Sequence, residues 1–314
     1  MVDVAVLIPC HNEEQTIGRV IDDFRRVLPE AAVFVCDNRS TDRTAETAAA
    51  HGAHVLREMR QGKGFAMRRL FDAVEAAAYL MVDGDCTYPA DAAEVLLQPV
   101  LAGEADMAVG DRISGGAYAR ENRRAFHGAG NRLVRALVNR LYGVRLHDIM
   151  SGYRALSRRF VKTLPVISPG FEIETEMTLH ALAYHLPVCE CPVAYRDRPV
   201  GSRSKLNTLS DGFRVMRMIL AVFKDYRPMV FCALLGALCM LAGLLTGLPV
   251  VVEYIRTALV SKIPSAILAV GLIVSALLCF ACGLILDTIG RHARRQHILL
   301  CRLLEHVWAL EKEE

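Results

Sequence analysis

The sequence contains neither an internal repeat nor a low-complexity tract, so solenoids and fibrous arrays are excluded. A large excess of either charge is also missing. With a formal net charge of +3, the chain has no global field of the kind that draws a nucleic acid, and no nucleic-acid partner is expected. Nothing near the N-terminus has the pattern of a cleaved leader. Met1-Val2-Asp3 runs directly into Val4–Ile8, which stops at Pro9, and this part of the chain is expected to stay in the cytoplasm. Cysteines number ten, yet no zinc-like cluster emerges. Cys189/Cys191 and Cys279/Cys282 are spaced as pairs, but the second pair lies in an apolar run without other ligand types. All ten read as small apolar residues of a reducing compartment.

What the sequence has in excess is hydrophobicity, and it is concentrated. Two charge-free stretches, Met229–Val252 and Ile263–Leu286, each exceed the roughly 20 helical residues that cross a hydrocarbon core. A buried soluble helix is the competing reading, and the length of both runs weighs against it. Lys205, Arg214, Arg217, Lys224 and Arg227 precede the first run, and Arg291, Arg294, Arg295 and Arg302 follow the second. Only Arg256 and Lys262 lie between them. By the positive-inside rule, both termini face the cytoplasm and the short connector faces outward.

The first half alternates short apolar runs with amphipathic stretches. Strands are expected at Val4–Ile8, Ala32–Cys36, Val55-Leu56, Tyr79–Val82 and Met107–Val109. Helices are expected at Glu14–Leu28, Thr41–His51, Gly64–Ala77 and Asp91–Leu101. This is the pattern of βαβ units, an α/β fold with a mostly parallel sheet flanked by helices. Ligands of such sheets bind beyond the carboxyl ends of the strands, where Pro9, Asp37 and Asp83 all fall. Glu121–Tyr142 reads as a basic helix, Asp148–Arg159 as a polar loop turning into a helix, Phe171–Leu186 as a helix and Val188–Arg196 as a strand-like return. Arg198–Leu206 reads as a loop. Leu209–Phe223 has the pattern of a helix lying in a membrane interface, and an ordinary surface helix shares that pattern.

Three motifs carry chemistry. Asp83-Gly84-Asp85 closes an apolar run and precedes Thr87-Tyr88-Pro89. Two carboxylates with one small residue between them can offer oxygens to one hard cation, which then bridges to a diphosphate. In Asp37-Asn38-Arg39-Ser40-Thr41-Asp42-Arg43-Thr44, Asp37 can accept a base imino N–H, and Ser40 or Thr41 can cap the next helix; a capping network alone is the plainer reading. Gln61-Gly62-Lys63-Gly64 allows close backbone approach, with a lysine to offset phosphate charge, although such a loop is often only a turn.

In this order and spacing, the three motifs resemble inverting GT-A-type glycosyltransferases of family 2, specifically the polyprenyl-phosphate branch that includes dolichyl-phosphate mannose synthases and bactoprenyl-phosphate glucosyltransferases. The matching residues are Ile8 to Glu14, Asp37 to Thr44, Gly62-Lys63-Gly64 and Asp83-Gly84-Asp85. Further along come Asp148-Ile149-Met150-Ser151-Gly152-Tyr153-Arg154, Phe171-Glu172-Ile173-Glu174 and Gly201 to Leu206. The resemblance covers roughly residues 1–228. It implies that Pro9, His11, Glu13 and Asp37 line the base and ribose pocket, with Gly62 and Lys63 at the donor. Asp83 and Asp85 would hold Mg²⁺ or Mn²⁺ and the donor diphosphate. Arg112 and Arg124 would hold the acceptor phosphate, and Arg203, Ser204 and Lys205 would close over the phosphates. Two departures stand out. The Gly201–Lys205 element is longer than the family's, which leaves the contacting arginine open between Arg198 and Arg203. Gly128 stands where a serine often follows the acceptor arginine.

The implied reaction is sugar transfer from a UDP- or GDP-linked donor to a polyprenyl or dolichyl phosphate, with inversion, on the cytoplasmic leaflet. Asp148 is the candidate nearest the reacting centre, as a base or as an orienting group. The implied plan is a cytoplasmic catalytic domain over 1–205, an interface helix over 206–228, two transmembrane helices within 229–287 and a cytoplasmic helix over 288–314. Two other functions compete. A processive polysaccharide synthase would carry Gln-x-x-Arg-Trp, but the single tryptophan, Trp308, follows Val307 in the last helix. A non-catalytic nucleotide-sugar-binding scaffold would not need the intact Asp83/Asp85 pair and Lys63. Gly236, Gly243 and Gly247 would permit close helix packing, including in a homo-oligomer.

Overall fold

A computed structural model of the chain describes residues 2–114, 125–170, 172–195, 224 and 227–313. Arg124, the loop over Arg198–Leu206 and the helix expected at Leu209–Phe223 lie outside these. The chain divides into two compact units, Met1–Val215 with Ile298–Glu314, and Met216–His297.

In the first unit, continuous apolar runs become strands because helices cover both faces of the sheet. The strands are β1 (Val2–Cys10), β2 (Ala32–Asp37), β3 (His54–Arg57), β4 (Ala76–Met81), β5 (Met107–Asp111), β6 (Arg154–Ser157) and β7 (Val188–Pro192), in the order β3-β2-β1-β4-β6-β5-β7. All neighbours pair parallel except β6, which runs antiparallel to both β4 and β5. One face is covered by α1 (Ile17–Val27) and α4 (Ala93–Leu101). There Ile17, Ile21, Phe24 and Leu96 pack on Val6, Ile8 and Leu80. The other face carries α3 (Lys63–Ala73), α6 (Arg158–Thr163) and α7 (Ile173–Ala183), with Met67, Leu70, Phe160 and Met177 on Leu7, Tyr79 and Met81. Each such buried side chain contributes about 1.5–3 kcal/mol. Phe24, 1% exposed, is the largest of the α1 set, and its truncation to alanine would cost about 3–5 kcal/mol. The remaining helices of this unit are α2 (Thr44–Ala50) and α5 (Ala125–Tyr142).

Two expectations are corrected. The helix expected to run to Ala77 stops at Ala73, and Ala76-Ala77-Ala78 enters β4. Alanine favours helix locally, but these residues pair with Val2–Val4 of β1, and that pairing decides. Asp148–Arg159 is not simply a loop before a helix. It contains β6, whose Arg154 and Ala155 are wholly buried, so no alternation betrays a strand.

The strand order reverses between β1 and β4, and a crevice opens at such a point beyond the carboxyl ends of the strands. Cys10, Asp37 and Asp83 stand at or just past those ends.

The second unit holds α8 (Pro228–Thr257) and most of α9 (Ile263–Glu313), both long and apolar enough to cross a membrane. Leu234, Leu238, Leu241, Leu245 and Leu248 of α8 are exposed, as a lipid-facing surface requires. Gly236 and Gly243 are used within this hairpin. A Cβ at Gly236 would stand 3.1 Å from the Ala276 carbonyl oxygen, and one at Gly243 would stand 3.2 Å from that of Ala269. The end of α9 belongs to the first unit, where the Arg158 guanidinium lies 4.3 Å from the Trp308 ring centroid.

Candidate active site

The β1 and β2 ends are tied together before any ligand arrives. Asn38 N donates to Cys10 O at 2.8 Å. His11 Nδ1 donates to Asn38 O at 2.9 Å, and its Nε2 accepts from Gln61 Nε2 at 3.2 Å. The buried Asn38 side chain donates to Arg60 O at 2.7 Å and accepts from Gly62 N at 2.6 Å, which draws the 58–62 loop over the strand ends. Gly62 has φ of 147°, and a Cβ there would overlap the Pro169 carbonyl oxygen, so only glycine fits this approach. Pro9 sits in β1 opposite Cys36.

Asp37 accepts Ser40 N on Oδ1 at 3.1 Å; among the described residues its Oδ2 accepts nothing. Ser40 and Thr41 do not cap α2. They bond Asn12 instead, whose N donates to Ser40 Oγ and whose Oδ1 accepts Thr41 N at 2.7 Å. Arg43 stands at the N-cap with no side-chain cap bond, and Asp42, one residue before it, accepts Thr44 N at 3.0 Å, while Thr44 Oγ1 accepts Glu13 N at 2.9 Å. Asn12, Arg39 and Cys86 all have φ near 60°. Left-handed non-glycine residues cost about 1–3 kcal/mol each and gather where function constrains the backbone.

At the end of β4, the chemistry is dominated by Lys63. Its Nζ is buried and donates to Asp83 Oδ1 at 2.5 Å and to Glu174 Oε1 at 2.6 Å. Burial opposes the ammonium charge, but Asp83 and Glu174 together outweigh it and hold Lys63 charged well above its ordinary range. Burial pushes the Glu174 carboxyl up, and Lys63 offsets only part of that, because it is shared with Asp83. Glu174 Oε2 is buried without a hydrogen-bond partner among the described residues. A Cβ at Gly152 would lie 2.6 Å from Asp83 Oδ2 and 3.1 Å from Lys63 Nζ, so the cluster closes only because residue 152 has no side chain. Asp85 accepts Thr87 Oγ1 at 2.6 Å and Thr87 N at 3.2 Å. Among the described residues, Lys63 meets two carboxylates, Asp83 and Glu174, with Asp85 two residues further along the chain, and the donors are hard oxygens. That composition fits a Mg²⁺- or Mn²⁺-sized cation.

Past β5, Arg112 and Asp148 form a buried two-pronged pair. Nε donates to Oδ2 at 2.6 Å, Nη2 to Oδ1 at 2.9 Å, and the Arg112 backbone N also reaches Oδ2. Asp148 therefore orients Arg112. Behind them, the fully buried Arg154 donates to the carbonyls of Ile149 (2.6 Å) and Ser151 (2.8 Å) and to Thr178 Oγ1. Burial lowers its pKa to about 10. The turn from Asp148 to Gly152 thus touches both clusters: Asp148 grips Arg112, and Gly152 lies against Asp83. Gly152 N also donates to Tyr88 Oη at 3.0 Å.

Arg124, Arg198, Arg203, Ser204 and Lys205 lie outside the described residues. Sequence reasoning missed roles for Asn38, Glu174, Arg154, Asp111, His147 and Glu190. Ligand atoms of the last three lie within 4.8 Å of one another.

A family profile described as "Glycosyl transferase family 2" matches residues 5–164. Among curated proteins, glycosyltransferase AglJ of Haloferax volcanii is 33% identical over 274 residues, covering 86% of this chain and 88% of its own. A dolichyl-phosphate hexose transferase of the same organism is 30% identical over 225 residues, covering 72% of this chain and 96% of its own. Among solved structures, glucosyl-3-phosphoglycerate synthase from Mycobacterium tuberculosis, in complex with Mn²⁺, UDP-glucose and phosphoglyceric acid, is 25% identical with a TM-score of 0.55. It covers 72% of this chain, which covers 79% of it.

Proposed function

The chain belongs to glycosyl transferase family 2 and has a GT-A-like fold, and from that premise we propose that it transfers a sugar from a UDP- or GDP-linked donor to a polyprenyl or dolichyl phosphate, with inversion. The observation that carries the reading is the pairing of two unlike clusters across one turn. The Lys63–Asp83–Glu174 group with Asp85 is rich in carboxylate, and the Arg112–Asp148 pair presents a guanidinium. The first suits a cation-bound diphosphate, and the second suits a phosphate monoester. The named dolichyl-phosphate relative supports the acceptor class, and α8 and α9 are suited to hold a protein where such a lipid resides.

The chemistry asks little proton transfer. A phosphate monoester has its second pKa near ~6, so the acceptor is largely a dianion at neutral pH. Its oxygen forms a bond to the anomeric carbon as the carbon–oxygen bond to the diphosphate breaks, and the nucleoside diphosphate leaves with the electron pair. Asp83 and Asp85 would hold Mg²⁺ or Mn²⁺, which when bound offsets charge on the leaving diphosphate. Pro9, His11, Glu13, Asp37 and Gly62 would seat the nucleotide. Arg112 would orient the acceptor, and Asp148 would orient Arg112. With Lys63 occupied by two carboxylates, its part is to hold Asp83 in place. Arg124 and the Arg198–Lys205 segment would complete the phosphate sites.

We place the catalytic domain at 1–205, the interface helix at 206–228, the spans within 229–287 and the last helix at 288–314. The catalytic domain and both termini would be cytoplasmic. Membranes containing the protein, given a panel of nucleotide-sugars, divalent cation and a short polyprenyl phosphate, should yield a lipid-phosphate-linked monosaccharide. Polymer growth would favour a processive synthase, and binding without turnover would favour a scaffold.

A further inference from the structure

Resting on the reading of Arg112 as the acceptor-phosphate residue, we infer that Glu190, on the edge strand β7, is a positioning residue for that arginine, acting through Asp148. Arg112 takes its orientation from Asp148, whose carboxylate accepts three bonds from Arg112 and one from Met150 N at 3.3 Å. A carboxylate so committed is placed by its own backbone. Residues 147–148 belong to no helix or strand, so something else must fix them.

From α5, Asn139 brackets Leu146 and Arg135 reaches His147 O at 3.4 Å, and Glu190 holds the amides of residues 147 and 148 themselves. Its Oε1 accepts His147 N and Asp148 N, both at 2.8 Å, and its Oε2 accepts His147 N at 2.9 Å and His147 Nδ1 at 3.1 Å. Glu190 pairs in register with Val109 of β5, the strand that delivers Arg112. One carboxylate therefore references the Asp148 turn to the same strand that carries its guanidinium partner. Both ends of the Arg112–Asp148 pair are thus tied to one ladder.

The neighbouring groups agree with a clasp. Asp111 accepts Ile113 N at 2.8 Å, Ser114 N at 3.1 Å and Ser114 Oγ, so its oxygens are turned to its own chain. The His147 ring, 3.7 Å from Asp111 Oδ2, is exposed and spans the two carboxylates. Every oxygen of Glu190 already accepts an N–H. In Glu190→Gln, one of these acceptors becomes an N–H₂ facing the His147 N–H.

The test is kinetic, on the full-length protein in membranes with a nucleotide-sugar and a short polyprenyl phosphate. Glu190→Gln should raise acceptor KM about tenfold, the weight of one or two charge-assisted bonds. Donor KM and the rate at saturating acceptor should stay within about twofold, and Glu190→Asp, which keeps both acceptors on a shorter stem, should fall between. In an Asp148→Asn background, Glu190→Gln should add nothing further, because the two act in series. Equal losses for donor and acceptor, or full additivity with Asp148→Asn, overturn the inference. Arg112→Ala separates the levels. If it leaves acceptor KM unchanged, the acceptor-site reading fails. If it raises KM while both Glu190 variants do nothing, only the role of Glu190 fails.

Discussion

Two buried ionic clusters face each other across the Asp148–Gly152 turn, and they differ in balance. Around Lys63, one ammonium serves Asp83 and Glu174, with Asp85 two residues along. Around Arg112, one guanidinium meets one carboxylate, and a second arginine, Arg154, lies buried behind them on neutral carbonyls and a hydroxyl. Burying unbalanced charge is costly, and a fold retains it where a ligand completes the balance. On the proposed function, a cation would add positive charge beside Asp83 and Glu174, and Arg112 would meet the anion of the acceptor.

The largest expected effect comes from removing a carboxylate, or the cation it would hold, from the first cluster. Asp85→Ala, or chelation of divalent cation, should lower sugar transfer on the order of 10³-fold, since a metal contributes several kcal/mol at developing charge. Restoration by Mg²⁺ or Mn²⁺ should occur after chelation but not in the variant, and activity unchanged by both treatments removes the distinction between the clusters. Next, Arg112→Lys keeps the charge but loses the two-pronged geometry. Acceptor KM should rise roughly 10²-fold with donor KM steady, whereas a rise in donor KM would place Arg112 with the wrong substrate. Gly152→Ala probes the turn itself. A methyl group directed at Asp83 Oδ2 should displace the carboxylate and cut the turnover rate by on the order of 10-fold to 10²-fold, with little change in thermal stability. Wild-type kinetics in that variant would mean that the two clusters are not coupled through the turn.

The smallest effect is on stability against pH. Burial raises the Glu174 carboxyl, so the folded state holds that proton more tightly than the unfolded chain. Its contribution to stability is complete below the unfolded value of about 4.3 and is lost as pH rises through the folded value. Glu174→Gln cannot titrate there. Melting curves of the two proteins should diverge in the variant's favour as pH rises above about 4.3, and a constant difference would show that Lys63 balances Glu174 fully.

The sequence made the first cluster half legible. The apolar run before Asp83, the glycines around Lys63 and the helical face of Ile17, Val20, Ile21 and Phe24 are local patterns, and local patterns can be read from spacing. The two long apolar helices were legible for the same reason. Glu174 stands 111 residues from Lys63, so no periodicity links them, and Lys63 looked like a phosphate ligand rather than the partner of two carboxylates. Strand β6 was hidden because both its faces are buried and its first residue is an arginine. Glu190 was hidden because the partners that matter, His147 N and Asp148 N, are backbone amides, which carry no residue identity.

The antiparallel β6 lies between β4, which leads to Asp83, and β5, which leads to Arg112. Neighbouring strands stand about 4.8 Å apart, so this one inserted strand separates the two by about 10 Å. The sheet thereby works as a ruler ruled in main-chain atoms. Point substitutions leave its graduations unchanged, so the side chains at the two strand ends can be exchanged while the spacing between those ends is inherited intact.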